Sequence, residues 1–232
     1  MKPSSPAEYE HLTRTHYQNC AVARSYHDEF TGPWTLRTLP ARLVARRERR
    51  LIDLAIQFAA AHGTVRKVLD LPCGSGKLAT VFARHPFRIT AADISREMME
   101  FAEPEYRNVA GFAGFVQADA TATNLPDAEF DAVVCLRLLH RVPDSVRQEI
   151  FHELRRVSGK YVIFSAGVAD AVQDIRRALR HRTTGTVSVP YPVTKEALAQ
   201  QLAQAGLRPL RWMPVLPVLS SEWIVLCEKQ VF

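Results

Sequence analysis

Between Lys67 and Ser165, five short apolar runs alternate with stretches of helical periodicity, and this rhythm leaves few folds open. The runs are Lys67–Leu71, Phe87–Asp93, Gly114–Asp119, Phe130–Leu136 and Lys160–Ser165. Helical stretches fall at Gly76–His85, from Ser95 onward with Met98, Met99 and Phe101, and over 144–157. Strands joined through helices run parallel, because each connection must cross a face of the sheet. The pattern predicts an α/β fold with a largely parallel sheet. The end of the chain departs from it. Thr194–Ala205 reads as a helix closed by Gly206, and Leu207–Met213 and Glu222–Cys227 read as strands. The link 214–221 is too short for a crossover helix, so these two strands should pair antiparallel.

Upstream, residues 1–36 are polar with scattered aromatics, among them Tyr9, Tyr17, Tyr26, Phe30 and Trp34. One or two short helices are expected there. Thr38 and Pro40 look like a helix start. Leu51, Leu54, Ala55, Phe58 and Ala59 follow helical spacing and predict a buried face that ends near Gly63. The domain division expected is a helical lid or substrate-specificity segment over 1–62 and a ligand-binding domain over 63–232.

A chain of 232 residues, 47% hydrophobic and 23% charged, can bury a sizeable core. That balance excludes disordered, collagenous and coiled-coil classes. No apolar run approaches the roughly 18 residues of a membrane span. The first ten residues lack the apolar core of a signal peptide. Cys20, Cys73, Cys135 and Cys227 form no C-x-x-C pair, which favours reduced thiols over a metal site. The expectation is a soluble, cytoplasmic protein. A net charge of +6 permits anionic partners without requiring them.

The strongest local signal is Val68-Leu69-Asp70-Leu71-Pro72-Cys73-Gly74-Ser75-Gly76-Lys77-Leu78-Ala79, a strand, a tight small-residue turn and a helix. Glycines there let a ligand approach the backbone, at the carboxyl edge where open α/β sheets bind ligands. Gly74 to Ala79 also fits the dinucleotide pattern G-x-G-x-x-A, and Asp93 lies near the place of its ribose-binding acid. A nicotinamide or flavin enzyme is therefore one candidate. The acids argue against it. Asp70, Asp93 and Asp119 each close a strand and line one sheet edge. A pyrophosphate on the turn would face Asp70, and like charges about 4 Å apart repel by roughly 4 kcal/mol at an effective dielectric of about 20. A cationic cofactor turns that cost into a gain. S-adenosylmethionine has a sulfonium and an ammonium for one carboxylate, a ribose diol for Asp93 and an adenine amine for Asp119.

With these residues in view, the chain resembles the class I S-adenosylmethionine-dependent methyltransferases of small-molecule type. The resemblance runs from about Val65 to Cys227. It is carried by the D-x-x-C-G-S-G-K turn, Ala92-Asp93-Ile94-Ser95, Gln117-Ala118-Asp119-Ala120 and the segment Phe130 to Val142. It implies a Rossmann-like, doubly wound seven-stranded sheet, mostly parallel, with an antiparallel C-terminal strand and helices on both faces. It also implies a cofactor, S-adenosylmethionine, with S-adenosylhomocysteine as product. The backbone of Pro72, Cys73, Gly74, Ser75 and Gly76 would cradle its methionine end over Asp70. Asp93 would take the ribose, with Ile94 and Met98 near the adenine. Asp119 would take the adenine amine, and Ala120 its ring edge. Leu136 and Arg137 would flank the sulfonium and the substrate. Pro72 stands where the family most often has glycine, and cannot donate a hydrogen bond.

Each residue also has a plainer role. Asp70 and Asp93 can cap helices, and Asp119 can be a loop acid. Lys77 reads as a solvated helix residue, and Cys73 and Cys135 as small packing residues. His140 follows the fourth strand, where a neutral imidazole could take a proton from an acceptor, or simply pack in the loop. Arg137 could pair with an anionic substrate or with a sheet-edge acid. Arg42, Arg46 and Arg50 share one helix face, which could grip phosphates or be solvated. The aromatics before residue 36 could form a lid.

The function expected is methyl transfer to oxygen or nitrogen of a small molecule. Methylation of RNA or protein is the alternative, and the basic stripe favours it. Against it, Cys135-Leu136-Arg137-Leu138 is no N/D-P-P-Y/F/W motif, and no nucleic-acid-binding module is recognisable. A non-catalytic partner subunit and an NAD-dependent oxidoreductase also stay open. Arg176, Arg177, Arg180, His181 and Arg182 in the insert 166–193 suggest an acidic or phosphate-bearing substrate.

Overall fold

The computed structural model of the protein describes residues 39–169, 191–217 and 220–230. The expected lid aromatics, Cys20 and the arginines 176–182 lie outside these residues. In chain order the elements are α1 (Leu39–His62), β1 (Lys67–Asp70), α2 (Ala79–Phe82), β2 (Arg88–Asp93), α3 (Arg96–Tyr106) and β3 (Phe112–Gln117). There follow β4 (Phe130–Cys135), α4 (Asp144–Val157), β5 (Ser158–Gly167), α5 (Lys195–Gln204), β6 (Leu207–Pro214) and β7 (Glu222–Lys229).

The seven strands form one sheet in the order β3-β2-β1-β4-β5-β7-β6. The first five pair in parallel, and β7 runs antiparallel to both β5 and β6. The chain enters the sheet at β1, winds outward through β2 and β3, then returns to place β4 and β5 on the other side of β1. The carboxyl ends of β1 and β4 are therefore neighbours whose onward connections diverge, which opens a crevice between them. This is the Rossmann-like, doubly wound sheet that the family resemblance implies.

Strand alternation divides the core into two layers. Val68, Ala91, Ala132, Val134 and Ile163 face α1, α2 and α3, meeting Ile52, Ile56, Phe82 and Tyr106. Leu69, Ala92, Val133, Cys135 and Phe164 face α4 and α5, meeting Phe151, Leu154, Leu198 and Leu202. Helix ends follow local chemistry. Ser95 Oγ accepts the Met98 N–H at 3.1 Å, and Thr194 Oγ1 accepts that of Ala197 at 3.2 Å. Asp144 opens α4 and Arg155 and Arg156 close it, each on the favourable side of the helix dipole.

Four details differ from the sequence pattern. Leu54 is 46% exposed, and the buried stripe of α1 is Leu51, Ile52, Ala55, Ile56 and Ala59. Both sets have helical spacing, so period alone could not choose between them. The helix expected over Gly76–His85 is the single turn Ala79–Phe82, because Gly76 has φ +80° and the chain is still turning there. β3 sits two residues earlier than predicted, so Asp119 lies past the strand in a tight bend bridged to Ala122. β5 begins at Ser158, directly where α4 ends. On α1, Arg46 and Arg50 are exposed, while the opposite face buries Ala45, Glu48 and Ile52.

The observed face of α1 predicts opposite outcomes for neighbouring residues. Ile56→Ala should destabilise the fold by about 2–5 kcal/mol. Leu54→Ala should change stability by less than about 0.5 kcal/mol. Urea unfolding of the two variants checks this.

Candidate active site

The crevice between β1 and β4 is lined by the turn after β1, the ends of β2 and β4 and the loop that follows β4. Its wall comprises Asp70, Pro72, Cys73, Gly74, Ser75, Lys77, Leu78, Asp93, Ile94, Met98, Leu136, Arg137, Leu138 and Arg141. The turn is tied to both neighbouring strands. Leu71 N–H donates to Val134 O at 2.9 Å, and Cys73 N–H to Ala92 O at 2.8 Å. The Leu71–Pro72 peptide is cis. Gly76 is required by space as well as by its backbone angle. A Cβ there would stand 2.8 Å from Glu105 Cβ and 3.2 Å from Ala102 Cα.

Two buried acids sit at the floor. Asp93 Oδ2 accepts the Gly74 N–H at 2.9 Å and its Oδ1 accepts the Ser95 N–H at 3.0 Å, so it joins the turn to the start of α3. Burial still pushes its carboxyl up to about 6, against the lowering effect of those backbone donors. Asp70 is 1% exposed. One of its oxygens accepts a hydrogen bond from the Tyr106 hydroxyl, while Oδ1 has no hydrogen-bond partner among the described residues. Burial raises its carboxyl to about 8, with Tyr106 pulling down and Asp93 pushing further up. The Cys73 thiol beside them is pushed far above its usual range by burial and the two carboxylates, so it is no nucleophile.

On the opposite wall, Arg137 adopts φ +59°, uncommon for a residue with a side chain. Three groups hold it. Its N–H donates to Ser165 Oγ at 2.7 Å. Its guanidinium makes a fork with Glu48 of α1, with Nε 2.9 Å from Oε1 and Nη2 against Oε2. Glu222, at the start of β7, hydrogen-bonds both Glu48 and Ser165, and burial together with Glu48 pushes its carboxyl well up. The charge of Arg137 is thus matched by a carboxylate of α1, a partner outside the sheet-edge acids. The loop beyond is clamped by Arg147, 1% exposed, which donates to Leu139 O at 2.9 Å, Val142 O at 3.1 Å and Tyr191 O at 3.1 Å.

Among the residues singled out in the sequence, Asp70, Pro72, Cys73, Gly74, Ser75, Asp93, Ile94, Met98, Leu136 and Arg137 come together on this wall. Gly76 shapes the turn from behind it. Asp119 and Ala120 stand off the wall. Asp119 Oδ1 accepts from Thr121 N at 2.9 Å and Oγ1 at 2.8 Å, a local turn, and Ala120 is buried in the α4-side core. His140 is also off the wall and 6% exposed. Burial and three nearby arginines push its imidazole down to about 3, too weak a base to take a proton from a hydroxyl. Lys77 and Leu78, read as helical, line the crevice because α2 starts only at Ala79. Leu138 and Arg141 were missed, although their place just past a central strand was a signal.

Residues 68–160 match the family described as a methyltransferase domain. The chain is 33% identical over 95 residues to a ubiquinone biosynthesis O-methyltransferase of Methylococcus capsulatus, covering 39% of this chain and 40% of that protein. Across the first of the curated relatives, the chain spans about two fifths of their length. The magnesium protoporphyrin IX methyltransferase of Synechocystis PCC 6803, solved with bound S-adenosylhomocysteine, superposes with TM-score 0.77 at 17% identity, over 95% of this chain and all of that one. This stretch therefore resembles a methyltransferase domain, and the fold is that of the solved methyltransferase. A 1,6-didemethyltoxoflavin-N1-methyltransferase of Burkholderia thailandensis has the same fold, with TM-score 0.66, 18% identity and coverage of 100% and 93%.

Glu48 and Arg137 form a buried pair, and removing the Glu48 carboxylate leaves Arg137 beside Glu222, which burial holds toward its neutral form. Glu48→Ala should cost about 3–5 kcal/mol in stability. Chemical unfolding would show it, and a loss under 1 kcal/mol would mean that solvent reaches Arg137.

Proposed function

We propose that the protein transfers a methyl group from S-adenosylmethionine to oxygen or nitrogen of a small molecule. One observation carries this reading. Asp70 is a buried carboxyl on the crevice wall with an unpartnered oxygen, and Asp93 stands close enough to raise its proton affinity further. Such a floor rejects a pyrophosphate and favours a cation. That weighs against a dinucleotide cofactor, despite the G-x-G-x-x-A match.

The residues fit the proposed cofactor. Asp70 would face its cationic end, the turn 72–76 its methionine chain, Asp93 the ribose hydroxyls, and Ile94 and Met98 the adenine. The cofactor, when bound, supplies an electrophilic methyl on a sulfonium. Leu136, Leu138 and the neutralised Arg137–Glu48 pair form the wall on the acceptor side. Their part is to orient the acceptor atom at about 3–3.5 Å from the methyl and to keep water out. The acceptor needs no base from His140 if it arrives as a neutral amine or an ionised oxygen.

Further parts of the proposal concern the surroundings. We assign substrate selection to residues 1–62 and the insert 166–193. An acidic or phosphate-bearing acceptor is supported by the sequence cluster Arg176, Arg177, Arg180 and Arg182, and by Arg141 on the wall. No helix among the described residues is long and apolar enough to cross a membrane. A cytoplasmic location is supported by Cys73, Cys135 and Cys227, all buried free thiols. A protein or RNA acceptor is the second choice, for which the exposed Arg46 and Arg50 of α1 speak.

Calorimetric titration tests the central claim. The wild type should bind S-adenosylmethionine at micromolar Kd and ignore NADH, and Asp93→Ala should weaken the former by about tenfold or more. Binding of NADH alone would replace this reading with an oxidoreductase. For the acceptor, the double variant Arg176→Gln, Arg180→Gln should raise KM for an anionic substrate about tenfold with little change in kcat. An unchanged KM removes the acidic-acceptor assignment.

A further inference from the structure

Tyr106 is the last residue of α3, is fully buried, and lies 36 positions from Asp70 in sequence. Its ring packs on Phe112 and Phe115, with centroids 5.0 and 5.6 Å away, so the hydroxyl has little freedom to turn elsewhere. It donates to one oxygen of Asp70 and leaves Oδ1, unpartnered, at the crevice. The other titratable groups that act on Asp70 or feel it are Asp93 at the end of β2, Cys73 in the turn and Cys135 of β4. None of these is a cation. Lys77, Arg137 and Arg141 are the cations on the crevice wall.

We propose that Tyr106 is a positioning residue of the cofactor site, and that the Asp70 carboxyl it holds carries a proton in the ligand-free protein and releases it to solvent when a cationic ligand enters. The inference rests on the methyltransferase reading. The balance is simple. One positive charge enters, one proton leaves, and the buried floor keeps its net charge. This spares the ligand-free protein a bare carboxylate in a dry site beside a second acid. Burial raises Asp70 to about 8, which places the exchange near neutral pH, whereas Asp93 at about 6 is mostly ionised there. The Tyr106 hydrogen bond favours the ionised form, so its loss should make the proton harder to remove.

The sign for binding follows. Below its ligand-free pKa, Asp70 must lose a proton before it can pair with the cation. Affinity should therefore tighten as pH rises, by about tenfold per unit between pH 6 and 7.5. That window keeps the ligand's own ammonium charged, since an α-amino group titrates near 8.

Carbon-13 NMR of aspartate-labelled protein reads the carboxyl directly, with Asp70→Asn used to assign the signal. In the wild type at pH 7, Asp70 should be protonated without ligand and ionised on addition of S-adenosylmethionine. Calorimetry in buffers of different ionisation enthalpy should count close to one proton released. In Tyr106→Phe, which keeps the ring, the Asp70 titration should move to higher pH and Kd at pH 7 should weaken about tenfold. Binding of S-adenosylmethionine with Asp70 already ionised, or with no proton released, overturns the proposal and leaves the methyltransferase reading intact. An Asp70 titration unmoved in Tyr106→Phe overturns the role of Tyr106. Failure of the wild type to bind S-adenosylmethionine overturns both readings.

Discussion

Parallel pairing of β1 with β4 is the constraint from which the site follows. Val68, Leu69 and Asp70 of β1 lie in register with Ala132, Val133 and Val134 of β4, so both strands end at the same level. From there one connection turns under α3 and the other runs toward α4. Among the described residues, the side chains and turn atoms at the two strand ends form the wall of the gap between them. The two-layer core holds this arrangement rigid. Residues that alternate along β4 bury themselves in opposite layers, and a shift of one residue would exchange them.

On that frame, the electrostatics are uneven in an informative way. On the acceptor side Arg137 meets Glu48, and burial and Glu48 hold the neighbouring Glu222 toward its neutral form, so the charges cancel. The cofactor side is unbalanced. Among the described residues, Asp70 and Asp93 share a buried floor on which backbone donors and one phenol, but no ion pair, support them. A site that already contains paired charges gains little from another ion. A site with raised, underpaired acids gains much. The same crevice thus has one end built for shape and one built for charge.

How far the chain could be read before folding depended on range. The α4 helix was legible to the residue, because Pro143, Asp144 and the arginines 155 and 156 mark its ends locally. So were the acids at the ends of β1 and β2, because a strand's end and a glycine turn are short-range features. Glu48 and Arg137 are 89 residues apart, and only the packing of α1 across the sheet brings them together. Tyr106 is a core aromatic whose hydroxyl meets Asp70 across 36 positions, a pairing that only the packing of α3 on the sheet creates. The overlong second helix failed for a different reason. Apolar spacing from Leu78 to Phe82 is helical, yet the glycine backbone of the turn delays the start. The burial of His140 is announced by no residue pattern near it.

Arg147 joins two stretches of chain that otherwise have separate histories. One guanidinium holds the carbonyls of Leu139 and Val142, in the loop after β4, and that of Tyr191, shortly before α5. The loop on the crevice wall and the outlet of the long insert therefore share a hinge pin. Divergence in the insert that displaced Tyr191 would be transmitted to Leu138 and Arg141 without any change in their own sequence. A lysine could not replace the pin, because a single ammonium lacks the planar spread to reach carbonyls in three directions. Selectivity in such a chain can drift through mutations well away from the wall, while the floor that holds the acids stays as it is.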